Sequence, residues 1–354
     1  MLSGEVTIGR LTANLTKWSS LISFEMTARL LAEALPLEGQ VNAASVRNHL
    51  HQIAEQAESE LGEEQVSFID GCPREWAALP RPPAPLTVGI DGGYVRSWEE
   101  KQKHFEVIVG KSMPEEGKDK CFAYVQTYDP KPKRRLFELL KSQGMQFKQQ
   151  VTFLSDGGED VRDVQSYLNP EAEFILDWFH VTMRLTVMGQ YAKGLPEKAG
   201  EGEEEYELRA EAEELLERIK HFLWHGNVFR ALEEVEDLEA LLYNQEQWND
   251  SGQKLAKAIG EFHAYIAANQ RFIPNYGERW RNEDTIASAF IESAVNEVVS
   301  KRMVKKQQMQ WTKRGAHLLL QMRTKVLNDD LDQMFQKWYP AFAQHNVQEH
   351  EMAA

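Results

Sequence analysis

Apolar residues recur at spacings of three and four over residues 24–35, the mark of a helix with one buried stripe, and Pro36 stops it. Asn42-Ala-Ala-Ser45 reads as the capped start of a second helix, running through Val46, Leu50, Ile53 and Ala57 to Leu61. Residues 71–86 contain Pro73, Pro80, Pro82, Pro83 and Pro85 and predict an extended, stiff linker. Beyond it the pattern shortens. Apolar runs at 86–91, 104–110, 121–128, 151–156 and 173–181 predict strands. The amphipathic stretch 133–143, closed by Gly144, and residues 161–168 predict helices between them. The order β-β-β-α-β-α-β predicts an α/β fold, a mixed sheet flanked by helices. Helical spacing then returns over 185–280, as in Leu208, Ala212, Leu215, Leu216 and Ile219, and two further helices are predicted at 285–310 and 316–327.

A chain of 354 residues exceeds one core of usual size. The pattern divides it into a helix-turn-helix-like region at 1–70, the linker at 71–86, a first part of the sheet domain at 87–184, a helical insertion at 185–284, a second part of the sheet domain at 285–342, and a tail at 343–354. The composition, 42% hydrophobic and 27% charged, argues against wholesale disorder. No apolar run approaches the ~18 residues of a membrane span. The start, Met1-Leu2-Ser3-Gly4-Glu5, lacks the basic and apolar stretches of a signal peptide. Two cysteines, Cys72 and Cys121, support neither a disulfide framework nor a four-cysteine zinc site, so a reducing, cytoplasmic setting is expected.

The formal net charge of −15 argues at first against a nucleic-acid partner, but its distribution changes that picture. Residues 197–240 carry 15 acidic and 5 basic residues, a net of −10. Residues 296–326 carry 8 basic residues and one acid, a net of +7. Phosphate contact is therefore expected from Lys301, Arg302, Lys305, Lys306, Lys313 and Arg314, with Trp311 among them as a base-stacking residue. Near the N-terminus, Arg47, Asn48 and His51 would face a DNA groove if the helix pair reads DNA.

Two predicted strands each end on an aspartate followed by two glycines, Asp91-Gly92-Gly93 and Asp156-Gly157-Gly158. Ligands gather at the carboxyl ends of strands in open sheets. Two carboxylates placed there repel unless a cation lies between them, and hard oxygen donors favour Mg²⁺ or Mn²⁺ over zinc. A two-ion phosphoryl-transfer site needs a third acid. The late helix offers Glu292 and Glu297; Glu292 shares a face with Asn296 and is preferred. Asp177 and His180 lie three apart on a predicted strand and so are expected on opposite faces for as long as the strand lasts, unless it ends first. His180 would position a phosphate near the site.

Strand-Asp91, strand-Asp156 and helix-Glu292 around a mixed sheet resemble an RNase H-like polynucleotidyl transferase of the DDE type. Asp177-Trp-Phe-His180 is similar to the Cys/Asp-x-x-His motif of Mutator-like transposases with a helical insertion before the glutamate. The runs Val88-Gly-Ile-Asp-Gly-Gly-Tyr-Val-Arg96, Glu292-Ser-Ala-Val-Asn296, Lys301-Arg-Met-Val-Lys-Lys-Gln-Gln-Met-Gln-Trp311 and Gly315-Ala-His-Leu-Leu-Leu320 resemble bacterial insertion-sequence transposases of the ISKra group. The resemblance covers roughly residues 15–342. It implies Asp91, Asp156 and Glu292 as ligands of two Mg²⁺ or Mn²⁺ ions, with Asp177, His180 and Asn296 auxiliary. It also implies cleavage and strand transfer on double-stranded DNA, at transposon ends and target, by a homo-oligomer in the cytoplasm on the nucleoid. Members usually begin well upstream, so Met1 falls inside the pattern and a shortened N-terminus is expected. The alternative expectations are an RNase H-like nuclease without strand transfer and a truncated or domesticated transposase that acts only as a DNA-binding protein.

Overall fold

The computed structural model describes residues 4–34, 41–64, 86–145, 149–158, 164, 172–198, 207–243, 249–304 and 309–340. The expected linker at 71–86 apart from Leu86, which opens the first strand, the helix at 161–168 apart from Val164, Lys305, Lys306 and the tail at 343–354 lie outside them. The fold is mixed α/β: five strands form one sheet in the order β3-β2-β1-β4-β5. Strands β1 (Leu86–Arg96), β2 (His104–Pro114) and β3 (Lys120–Val125) pair antiparallel in succession, whereas β4 (Val151–Ser155) and β5 (Glu173–Leu176) pair parallel. The chain divides into two compact units: residues 1–151, 163–171 and 290–354, and residues 152–162 and 172–289.

The first unit begins with helices α1 (Gly4–Leu21), α2 (Phe24–Ala34) and α3 (Ala43–Glu60). Asn42 caps α3 as its sequence predicts, its side chain accepting from the Ser45 N–H at 2.9 Å. The apolar stripe of α3 does not serve a separate module. Leu50, Ile53 and Ala54 join one core with Val95, Val107 and Val109 of the sheet and Ala316, Leu319 and Leu320 of a late helix. Helix α4 (Pro132–Ser142) buries Leu136 and Leu140, and Gly144 beyond its end takes the left-handed conformation (φ +84°) that the sequence expectation required.

The expected single helix over 285–310 is three pieces: an irregular start, α10 (Ala289–Val295) and a π-helix (Asn296–Val304). A π-helix replaces the i→i+4 backbone bonds with i→i+5 bonds and so widens the turn. A buried arginine ties this stretch to its neighbours: Arg323, on α11 (Lys313–Leu327), donates to the carbonyls of Val298 at 2.9 Å, Glu297 at 2.6 Å and, on α1, Ser20 at 2.5 Å. Helix α12 (Leu331–Trp338) closes this unit, with Phe335 buried.

The second unit carries β4, β5 and the helices α5 (Trp178–Ala192), α6 (Leu208–Trp224), α7 (Val228–Tyr243), α8 (Asp250–Asn269) and α9 (Tyr276–Arg281). Its core joins Leu154, Ile175 and Leu176 of the strands to Leu185, Leu215, Ile219, Leu238, Ile259 and Phe262. Among the described residues of 185–280, the helical expectation holds over these five helices. The strand expected over 173–181 stops at Leu176, because Asp177 caps α5 instead of continuing the strand.

Candidate functional site

Asp91 lies inside β1, paired opposite Val109, and not at a strand end. The expectation of two matching strand ends is corrected for this copy of the motif: the strand runs on to Arg96 because Gly92 and Gly93 remain in the ladder opposite Ile108 and Val107. Side chains alternate along a strand, so Gly89, Asp91 and Gly93 share a face. That face receives α10 and the π-helix. A Cβ on Gly89 would lie 2.6 Å from the Phe290 ring, and one on Gly93 would lie 3.2 Å from Val295. The two glycines let the helix approach, and Asp91 falls between them, in the layer of residues 290–295. Glu292 is in the first turn of α10 and exposed. The structure therefore brings Asp91 and Glu292 to one strand–helix layer of the first unit. The half-buried Asp91 carboxylate accepts from the Gly92 N–H at 2.8 Å. Asn296 opens the π-helix, half-buried, and Glu297, the other acid of this stretch, is ion-paired with Lys301.

In the second unit Asp156 is exposed and follows β4 directly, as expected of a residue at a strand end. Its carboxylate accepts from the Gly158 N–H at 3.2 Å. Gly157 has φ +90°, a conformation that residues with a Cβ rarely adopt, and a Cβ there would meet the Asn269 side chain at 2.5 Å. Asp177 is fully buried. It accepts from the Phe179 N–H at 3.0 Å, the Ser288 N–H at 2.9 Å and the Ser288 hydroxyl. Burial pushes its carboxyl above the usual range, against the pull of the Ser288 and Phe179 hydrogen bonds and nearby His180. Because Asp177 caps α5, His180 returns toward it one turn later, Nε2 to Oδ2 3.5 Å. The strand ends at Leu176, before both residues, so the opposite-face placement expected while it lasts does not apply: the spacing of three is helical here, and it brings the two side chains together.

The expected DNA-facing residues divide. Arg302 and Trp311 are interior, 4% and 7% exposed. The Arg302 guanidinium sits 4.9 Å from the Phe24 ring and 5.3 Å from the Trp311 ring, and donates to the Ser19 carbonyl at 3.3 Å. Burial pushes its pKa down to about 10, helped by the nearby Arg323 charge. Trp311 also forms an isolated bridge with Ser97, just past the end of β1, so the expectation that both residues face DNA is corrected: they tie α1 and α2 to the core. Lys301 is exposed and paired with Glu297, Arg314 is exposed and paired with Glu55, and Lys313 is half-buried. Arg47 is exposed, whereas His51 is half-buried and packs toward Gly315 at the start of α11. Burial, with Arg314 and Arg47 nearby, lowers the His51 pKa and favours neutral imidazole.

One cluster has no signal in the sequence pattern. Glu58, Asp129 and His317, from α3, the β3–α4 turn and α11, bring three ligand atoms within 4.8 Å of one another. The buried Arg135 occupies the same place, donating to both Glu58 oxygens at 2.9 Å and to Asp129 at 2.9 Å. The guanidinium already supplies the positive charge a cation would bring, so this is an ion-pair centre that binds α3 to the core. Residues far apart in sequence build it, and no local spacing announces it.

Among models of known protein families none matches the chain, and no curated protein matches it.

Proposed function

We propose that the chain is a DDE-type transposase, with Asp91, Asp156 and Glu292 as its three metal-binding carboxylates. The observation that carries this reading is the strand–helix layer of the first unit. Glycines at 89 and 93 admit the helix that bears Glu292, and Asp91 stands between them. Asp156 at the end of β4 and the Asp177–His180 pair at the start of α5 follow in the order the resemblance requires.

The donor set suits the ions. All three residues offer carboxylate oxygen, the ligand type that holds Mg²⁺ or Mn²⁺. Bound there, such ions neutralise charge on the phosphoryl group and favour the attacking oxygen. The chain's own part is positioning. β1 and α10 fix Asp91 and Glu292 through packed glycines, and the Asp177 cap holds His180, whose ring would orient a phosphate of the DNA end. Arg47, exposed on the first unit, would contact phosphate. Lys301 and Arg314 would do so by exchanging their surface ion pairs, which are worth little in water. A second copy on the other DNA end is expected of an enzyme that joins two ends.

The assignment of the third acid has a direct test. Glu292→Gln should abolish Mn²⁺-dependent nicking of a duplex carrying the element's terminal repeats, while Glu297→Gln leaves it within about threefold of the parent. The reverse order would place the third carboxylate on the π-helix.

A further inference from the structure

Helices α5 and α8 of the second unit enclose an open groove of about 480 Å³, lined by His180, Met183, Arg184, Val187, Lys254 and Lys257 among others. That volume falls within the range of small-ligand sites, ~300–1,000 Å³. Three features distinguish the groove from an ordinary helix seam. Met183 and Val187, one turn apart on α5, are 49% and 40% exposed although apolar. Helix α5 carries no acidic residue, and its arginine is held in place: the Arg184 guanidinium lies over the Tyr265 ring at 4.2 Å while the residue itself stays exposed. The groove lining has Arg184, Lys254 and Lys257 against one acid, Glu261, in a module whose residues 197–240 carry a net charge of −10. Lys254 pairs with Asp250 and Lys257 with Glu261, at 2.6 Å and 3.8 Å, but all four groups are more than half exposed and exchange readily for a stronger anion.

A cationic rim beside exposed apolar side chains fits a ligand that is itself anionic along one edge and apolar along the other. We propose that this groove binds unpaired DNA strand, with phosphates at Arg184, Lys254 and Lys257 and a base and deoxyribose against Met183 and Val187. The inference rests on the reading of the chain as a DNA strand-transfer enzyme. His180 lies at one end of the groove, so the strand held there would lead toward the Asp177–His180 pair.

The test is fluorescence anisotropy of a labelled oligo(dT) of about twelve nucleotides, within the site sizes of single-strand grooves, with the full chain at low salt. Arg184→Glu and the double change Lys254→Glu with Lys257→Glu should each weaken binding at least roughly tenfold. The double variant should also flatten the log-affinity against log-salt slope by about 1.4, ~0.7 for each single-strand phosphate left without its lysine. Met183→Ser with Val187→Ser keeps every charge and should weaken oligo(dT) binding several-fold, because the base no longer meets an apolar surface. Circular dichroism verifies that these surface variants remain folded. Affinity for a dodecaglutamate peptide equal to that for oligo(dT) would overturn the nucleotide assignment, as would unaltered oligo(dT) binding in the Arg184 and lysine variants. The two proposals separate cleanly. Weakened oligo(dT) binding in groove variants of a chain without metal-dependent cleavage supports the groove and defeats the transposase reading. Cleavage that needs Asp156, with groove variants binding as the parent does, supports the enzyme and defeats the groove.

Discussion

Glu58 shows how far one side chain's environment shapes its chemistry. Burial opposes its charge, but hydrogen bonds from His317 and Arg135 prevail and hold its pKa at about 2. A carboxylate whose folded pKa lies below its unfolded value of 4.5 stabilises the fold above about pH 4.5 and loses that contribution as pH falls toward 2. Glu58→Gln should therefore cost on the order of 2 kcal/mol at neutral pH, since it leaves Arg135 with one buried charged partner fewer. Denaturant melts of parent and variant should differ most at about pH 6–7 and converge as the pH falls through 4.5 to 2. A gap independent of pH would show that packing, and not charge, sets the difference. The same residue marks a limit of sequence reading. Glu58 sits on a helix that its pattern announces, yet its partners are Arg135 and His317, and only the folded chain assembles them with Asp129.

At the scale of elements, glycine explains more than charge. Gly89→Ala would press a methyl group against the Phe290 ring, and the cost should be about 1–3 kcal/mol through displacement of α10. Such a shift moves the helix bearing Glu292, so any metal-dependent nicking should fall further than stability alone explains. Parallel thermal melts and rate measurements would separate the two effects. Asn42→Ala should cost about 1 kcal/mol by removing the α3 cap, visible as a lower melting midpoint. That cap, the α2 stripe and the end of α4 at Gly144 are legible in the sequence because each is written in adjacent residues. The π-helix over Asn296–Val304 is not: no adjacent residue announces it, and its Val298 carbonyl is bonded by Arg323 from another helix. Asp177 defeats the local pattern for a related reason: an apolar run ending in Asp-Trp-Phe-His fits a strand continuing or a helix being capped, and Ser288, far along the chain, decides between them.

Over the whole molecule, the mixed sheet and the helical block after β5 follow the predicted order of elements, while the residues expected to face DNA do not all face solvent. Arg302 and Trp311 look basic and aromatic in sequence, but both serve the interior, where the guanidinium lies against two rings and caps the end of α1. Arg302→Ala should thus behave as a core substitution, lowering stability by several kcal/mol and weakening any DNA binding only as far as the fold is lost. Lys301→Ala should leave stability within about 0.5 kcal/mol, since its exposed ion pair is worth little. The described helices include none long and apolar enough to cross a membrane. The chemistry proposed for the chain stands on Asp91, Asp156 and Glu292 acting together, and one measurement tests that directly. A labelled duplex carrying the element's terminal repeats is incubated with the parent chain and with Asp156→Ala, with Mg²⁺ or Mn²⁺ and with chelator. Strand cleavage by the parent is expected only with metal, with a loss on the order of a thousandfold or more in the variant at unchanged melting temperature. Cleavage by Asp156→Ala at the parental rate, or by the parent in chelator, would overturn the assignment of Asp91, Asp156 and Glu292 as metal-binding carboxylates.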